Sequence, residues 1–122
     1  MIRKFGDFRD DIFRLKEYEG ESKVLDLGEA VKHYVKSGMK LHISDRANAL
    51  VRELIRQFYG SKPNFTLIAI GVGEQILNLV HCGLVKRVIT SSCSEIYPTP
   101  GPSKVIQRAF KDKAVEFENW TL

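Results

Sequence analysis

The sequence predicts an α/β domain built on an open, mostly parallel sheet with helices on both faces. Three observations predict it. Apolar runs of strand length alternate along the chain with segments whose apolar residues recur at helical spacing. The connections between them are short and marked by glycine, proline, asparagine and serine. The run Phe65 to Ile70 is almost uninterrupted in apolar residues, as expected of a strand covered on both faces. Alternation of this kind gives parallel strands joined by helical crossovers.

Residues 1–22 form a charge-dense arm or helix ahead of the domain, which spans 23–122. In the arm Phe5, Phe8, Ile12, Phe13 and Leu15 fall roughly at helical spacing, which suits packing on the domain or on a partner. The domain opens with Asp26-Leu27-Gly28-Glu29, a D-x-x-E capping box that satisfies free backbone donors at a helix start. Leu27, Ala30, Val31, Tyr34 and Val35 give that helix one buried face, and Gly38 is placed to end it in a left-handed cap. Met39 to Ser44 reads as a short strand. Ser44 and Asp45 are the N-cap candidates for the next helix. Its stripe runs Ala47, Leu50, Val51, Leu54, Ile55, Phe58, Tyr59, with Arg46, Arg52, Glu53, Arg56 and Gln57 on the other side.

Gly71-Val72-Gly73 is expected to break the Phe65 to Ile70 strand. A short helix carrying Ile76, Leu77 and Val80 follows and ends near Gly83, and Leu84 to Thr90 is the next strand. From Ser91 to Pro102 the sequence predicts irregular structure, because three prolines interrupt it. Ser103 caps a last helix with Val105, Ile106, Ala109 and Phe110 inward, and Val115 to Glu118 is a final strand.

Composition narrows the function. A chain of 122 residues holds one domain and one core. No apolar run reaches the roughly 20 residues of a membrane span. The first residues are charged where a secretory signal needs an apolar stretch, so the chain is read as cytoplasmic. Cys82 and Cys93 make neither a disulfide framework nor a C-x-x-C motif, and His33, His42 and His81 share no metal-ligand spacing. No metal site is expected. The net charge of +4 is spread among acidic residues rather than gathered into a patch, which argues against nucleic acid and suits a phosphate-bearing small molecule.

Ligands of open α/β sheets bind beyond the carboxyl ends of the strands. That rule selects Ser44 to Asn48, Gly71 to Glu74 and Ser91 to Tyr97. The candidate binding residues are Ser44, Arg46, Asn48, Gly71, Gly73, Ser91 and Ser92. Backbone amides at a helix start, with Arg46 and Asn48 beside them, make an anion site or an ordinary capped turn. Gly71-x-Gly73 lacks the third glycine of a dinucleotide fingerprint, since Ile76 stands there. Its glycines allow a tight turn or a close backbone approach. Glu95 is the candidate nucleophile or acid/base group, against the plainer reading of a solvated loop carboxylate. The histidines lie on separate elements and give no Ser-His-Asp arrangement.

The order of segments resembles a known family. Asp26-Leu27-Gly28-Glu29-Ala30-Val31, Ser37-Gly38-Met39-Lys40-Leu41 and Ala49-Leu50-Val51-Arg52-Glu53-Leu54-Ile55-Arg56 are similar to the α subunit of family I CoA-transferases, the glutaconate CoA-transferase type. The likeness continues through Phe65-Thr66-Leu67-Ile68, Cys82-Gly83-Leu84-Val85-Lys86-Arg87-Val88-Ile89 and Ala114-Val115-Glu116-Phe117-Glu118-Asn119-Trp120. It covers residues 23–122, the front part of such a subunit. The resemblance implies an open α/β fold shared by α and β subunits, a coenzyme A thioester as substrate, and no permanently bound cofactor. It implies a partner as well: a β-type subunit, or the rest of a longer chain, whose glutamate attacks the thioester. Nucleic acid and membrane are not implied. Relatives on this fold also hydrolyse or decarboxylate acyl-CoAs. Where the family has a Gly-Gly-Phe-like loop, this chain reads Ser44-Asp45-Arg46-Ala47-Asn48, shorter and without glycine. A non-catalytic binding or assembly module on the same fold is the alternative, and a nucleotide or sugar-phosphate domain of only similar architecture is a third reading.

Overall fold

The computed structural model describes residues 22–44, 46–95 and 100–121. The arm expected over 1–22 therefore falls, but for Ser22, outside the described residues, as does Asp45. The described chain runs α1 (Leu27–Tyr34), β1 (Lys40–His42), α2 (Asn48–Phe58), β2 (Phe65–Val72), a 3-10 turn (Glu74–Ile76), α3 (Leu77–His81), β3 (Val85–Cys93), α4 (Lys104–Lys111) and β4 (Glu116–Asn119).

The fold class is the expected one: four strands form one open parallel sheet in the order β1-β2-β3-β4. Its helices are arranged differently from expectation. When consecutive parallel strands lie side by side, right-handed crossovers carry every connecting helix to the same face. The contacts agree, because α1 packs on α2, α2 on α3 and α3 on α4, in a single row. None of the described helices covers the other face. The burial of β2 alternates accordingly: Phe65, Leu67 and Ala69 are buried, whereas Ile70 is 66% exposed. The near-continuous apolar run is thus covered fully on one face, not on both.

A register shift between Phe65 and Thr66 leaves Lys86 as an extra residue on β3. It lets Val85 and Val88 both turn to the helices, three positions apart. The core gathers there, from Leu54 and Val51 of α2 through Leu67 and Val88 to Leu79 and Ala109. Ile89 is buried yet lies outside that cluster, on the other face of the sheet.

Local chemistry explains most boundaries. Asp26 caps α1 by accepting from the backbone of Gly28 and Glu29, as the capping box requires. Ser103, 1% exposed, caps α4 by accepting from Val105 N. Gly38 has the expected positive φ, 80°, but it turns the chain into β1, four residues after α1 has ended. The N-cap expected at Ser44 or Asp45 is not the one used. Helix α2 begins later, at Asn48, after Ala47, which makes no side-chain cap. Strands β2 and β3 also run further than expected. Gly71 and Val72 continue β2, and Ser91, Ser92 and Cys93 continue β3 despite the prolines downstream. Gly71 pairs with Ser92 and Val72 with Cys93 across the ladder, and pairing overrides local turn chemistry.

Five side chains depart from their expected faces, Leu27 and Tyr34 of α1 among them, at 38% and 62% exposed. Glu53 is 7% exposed, because its carboxylate accepts from Arg56 and Gln57 between α1 and α2. Gln57 also donates to Gly28 O at 2.8 Å, which ties the two helices. Phe110 is 68% exposed on α4, with its ring 6.0 Å from that of Phe117. Tyr59 is 72% exposed at the end of the α2 stripe. No helix among the described residues is long and apolar enough to cross a membrane.

Candidate functional site

Extension of β2 and β3 carries their tips past the start of α2, and a cleft forms between the three. It has a volume of about 250 Å³ and is lined by Arg46, Asn48, Gly71, Gly73, Ser92 and Ser94, with Val72, Glu74, Gln75 and Ile76 closing its sides. Arg46 and Asn48 come from the segment after β1, the glycines from the end of β2, and the serines from the end of β3. Three segments far apart in sequence therefore meet at the carboxyl end of the sheet, where the topology rule puts a ligand.

The glycines serve the walls. A Cβ on Gly73 would stand 2.5 Å from the Ser94 carbonyl oxygen, closer than any side chain tolerates. One on Gly71 would stand 3.2 Å from the Ser92 hydroxyl. The close approach that G-x-G permits is thus between two strand tips of this chain. The tips are held together by polar bonds to one carbonyl. The Ser91 hydroxyl donates to Ile70 O, and the Thr90 hydroxyl lies 3.1 Å from the same oxygen.

Of the residues expected at a site, five line the cleft: Arg46, Asn48, Gly71, Gly73 and Ser92. Two do not. Ser44 lies outside it, because α2 starts three residues later than a cap at Ser44 would place it. Ser91 points to the opposite face, where it lines a smaller hollow of about 140 Å³ with His42, Ile70 and Trp120. Residues 92 and 91 part company because successive strand residues face opposite sides. Glu95 is not among the lining residues. Its backbone makes a two-way bridge to Gly101 at 3.0 Å.

Val72, Ser94, Glu74, Gln75 and Ile76 line the cleft without being among the expected residues. Ser94 and Glu74 lie inside segments that the strand-end rule selected, and that signal could have found them. Gln75 and Ile76 enter only because the first turn after β2 folds back as a 3-10 turn over the strand tip.

The charged linings have an unusual backbone. Arg46 has φ 65° and Glu74 φ 45°, in the left-handed region that costs a non-glycine residue about 1–3 kcal/mol. Lys62, Asn64 and Lys113 share this backbone in turns away from the cleft, so it marks tight turns as well as the site. Arg46 supplies a permanent cation with forked donors that match a carboxylate or a phosphate. Asn48, Gln75 and the two serines supply neutral donors and acceptors. Glu74 is the carboxylate of the cleft among the described residues. Nearby, Cys93 ends β3, and burial raises its thiol pKa, so it stays protonated at neutral pH.

No family model matches the chain, and no curated protein matches it. Among solved structures it is similar to a cysteine-to-serine variant of the decarboxylase AibA/AibB, with a TM-score of 0.65 at 20% identity. The match covers 80% of this chain and 38% of that one, so this chain spans well under half of its structural relative. At that identity the likeness shows the fold: an open α/β domain with a parallel sheet.

Proposed function

We propose that this chain is the α-type part of an acyl-CoA enzyme of the CoA-transferase kind, active when a partner chain supplies the nucleophilic carboxylate. The observation that supports it most is the cleft itself, which gathers Arg46, Asn48, Ser92 and Ser94 at the carboxyl end of the sheet. In this reading Arg46 holds a carboxylate or phosphate oxygen of the acyl-CoA. The partner's carboxylate attacks the thioester carbon, the coenzyme A thiolate leaves, and the acyl group stays on the carboxylate as an anhydride.

Size supports the need for a partner. Sites for drug-sized ligands occupy about 300–1,000 Å³, so a cleft of about 250 Å³ takes one end of an acyl-CoA and leaves the rest to another chain. Decarboxylation of an acyl-CoA is the second reading, favoured by the fold shared with the AibA/AibB decarboxylase. A non-catalytic module is the third, favoured by the glycine-free loop at Ser44 to Asn48.

The test is the native mass of the protein isolated with its associated chains, followed by transfer and decarboxylation assays on that complex. A heteromer that moves CoA between carboxylic acids supports the transferase reading, and carbon dioxide release supports the decarboxylase. A complex inert toward acyl-CoA sinks both. In an active complex Arg46→Gly relaxes the strained φ and removes the guanidinium. We expect turnover to fall about tenfold or more while the fold is kept. Unchanged kinetics would take Arg46 out of the site.

A further inference from the structure

The face of the sheet that carries none of the described helices is patterned, and the pattern is self-complementary. Parallel pairing aligns the side chains of this face in rows across the strands. One row reads Lys40, Thr66, Arg87, Glu116 from β1 to β4, and the next reads His42, Ile68, Ile89, Glu118. Both rows are basic at the β1 end and acidic at the β4 end. Beyond them Ile70 is 66% and Trp120 57% exposed, around the hollow that Ser91 lines.

We propose that this face pairs with the same face of a second copy, about a two-fold axis that runs parallel to the strands between β2 and β3. Such an axis keeps each row at its own level and reverses its order. Lys40 of one copy then faces Glu116 of the other, and His42 faces Glu118. Ile68 lies across the middle from Ile89, which its own chain already leaves only 8% exposed, so the free apolar surface of the contact is that of Ile70 and Trp120. A two-fold axis perpendicular to the strands would instead set β1 on β1 and like charge on like. The charges therefore select one of the two isologous arrangements. Two sheets packed this way lie about 10 Å apart with their strands close to parallel, as in aligned sheet packing.

The contact is modest. Four strands about 4.8 Å apart and three rows of side chains give a patch of a few hundred Å² per copy, below the size of stable specific interfaces and in the range of weak, transient contacts. A reversible dimer is expected. The cleft at the strand tips opens beside α2, on the helix side, so pairing of the bare face leaves it free.

The experiment is sedimentation of the full 122-residue chain over a range from about 1 μM to about 500 μM, which brackets a weak interface of this size. A monomer–dimer equilibrium is expected. Ile70→Asp, at an exposed position that the fold does not need, should abolish it. Lys40→Glu and Glu116→Lys should each raise the dimer Kd about tenfold, because each change makes two contacts repulsive in a symmetric pair. The double variant, which swaps both ends of the row, should return to within about twofold of the parent. That rescue is specific to the proposed axis. A chain monomeric throughout overturns the proposal, and so does a dimer indifferent to the charge reversals or one that the double variant fails to restore. Dimerisation only after removal of residues 1–21 also overturns it, and assigns the face to the chain's own N-terminal segment.

Discussion

Gly73 and Glu118 show how single residues define the two ends of this sheet. At Gly73 the constraint is steric. Gly73→Ala places a methyl 2.5 Å from the Ser94 carbonyl oxygen, so one strand tip must move. We expect a loss of about 1–3 kcal/mol in urea unfolding, together with a changed cleft; a loss under half of that would mean that the tips are loosely held. At Glu118 the constraint is electrostatic. Trp120 Nε1 donates to its carboxylate at 2.7 Å, and Arg87 pairs with it from β3. These bonds hold its pKa below the ordinary glutamate range. A group whose folded pKa is lowered adds stability above its unfolded pKa, and that contribution is lost as pH falls through the folded value. Trp120 is the only tryptophan, so its fluorescence reports the event. The emission should change with a midpoint below the usual glutamate value, and Glu118→Gln should remove the transition. A midpoint at or above the ordinary value would refute the pairing. The Gly71-x-Gly73 spacing pointed to a close backbone approach without naming its partner, and nothing in the sequence pointed to the pairing of Glu118, since both depend on which residue lies across the sheet.

At the scale of elements, capping was legible where the cap is local. Asp26 and Ser103 each bond backbone donors two or three residues on, and both were read from the sequence. Ser103→Ala should cost about 1–2 kcal/mol, because the hydroxyl is buried and its loss frees Val105 N. A thermal melt shifted by less than a degree would show that α4 needs no cap. Helix α2 is the contrary case. Its apolar stripe was plain, but its start was not, because Ala47 and Asn48 offer no side-chain cap and packing against the sheet sets the boundary. Strand ends failed for a related reason. Gly71 and Ser92 look like turn residues, yet they pair with one another across the ladder. Propensity sees only neighbours in sequence, and a ladder is made between segments about 20 residues apart.

For the molecule as a whole, the order β1-β2-β3-β4 has two consequences. It leaves one face of the sheet without any of the described helices, and it brings three strand-end segments to one edge. The cleft at that edge is small, which makes a prediction about ligand size. The isolated chain should bind an acyl-pantetheine fragment within about threefold of the whole acyl-CoA, since only one end fits a cleft of about 250 Å³. Calorimetry on the two ligands tests it. A strong preference for the whole molecule would mean that this chain alone also reads the nucleotide end.

The sequence by itself determined the α/β class with its parallel sheet, the number of the described strands and their succession along the chain, the stripe of α2 except Tyr59, and five of the residues that line the cleft. Each of these follows from periodicity, caps and the rule for strand ends, which act within one segment. Tertiary structure decided which face stays bare, where β2 and β3 stop, why Gly73 must be glycine, and that Ser91 and Ser92 serve opposite sides. Those depend on crossover handedness and ladder register, which bring distant segments together and are set only when the sheet closes its pairs.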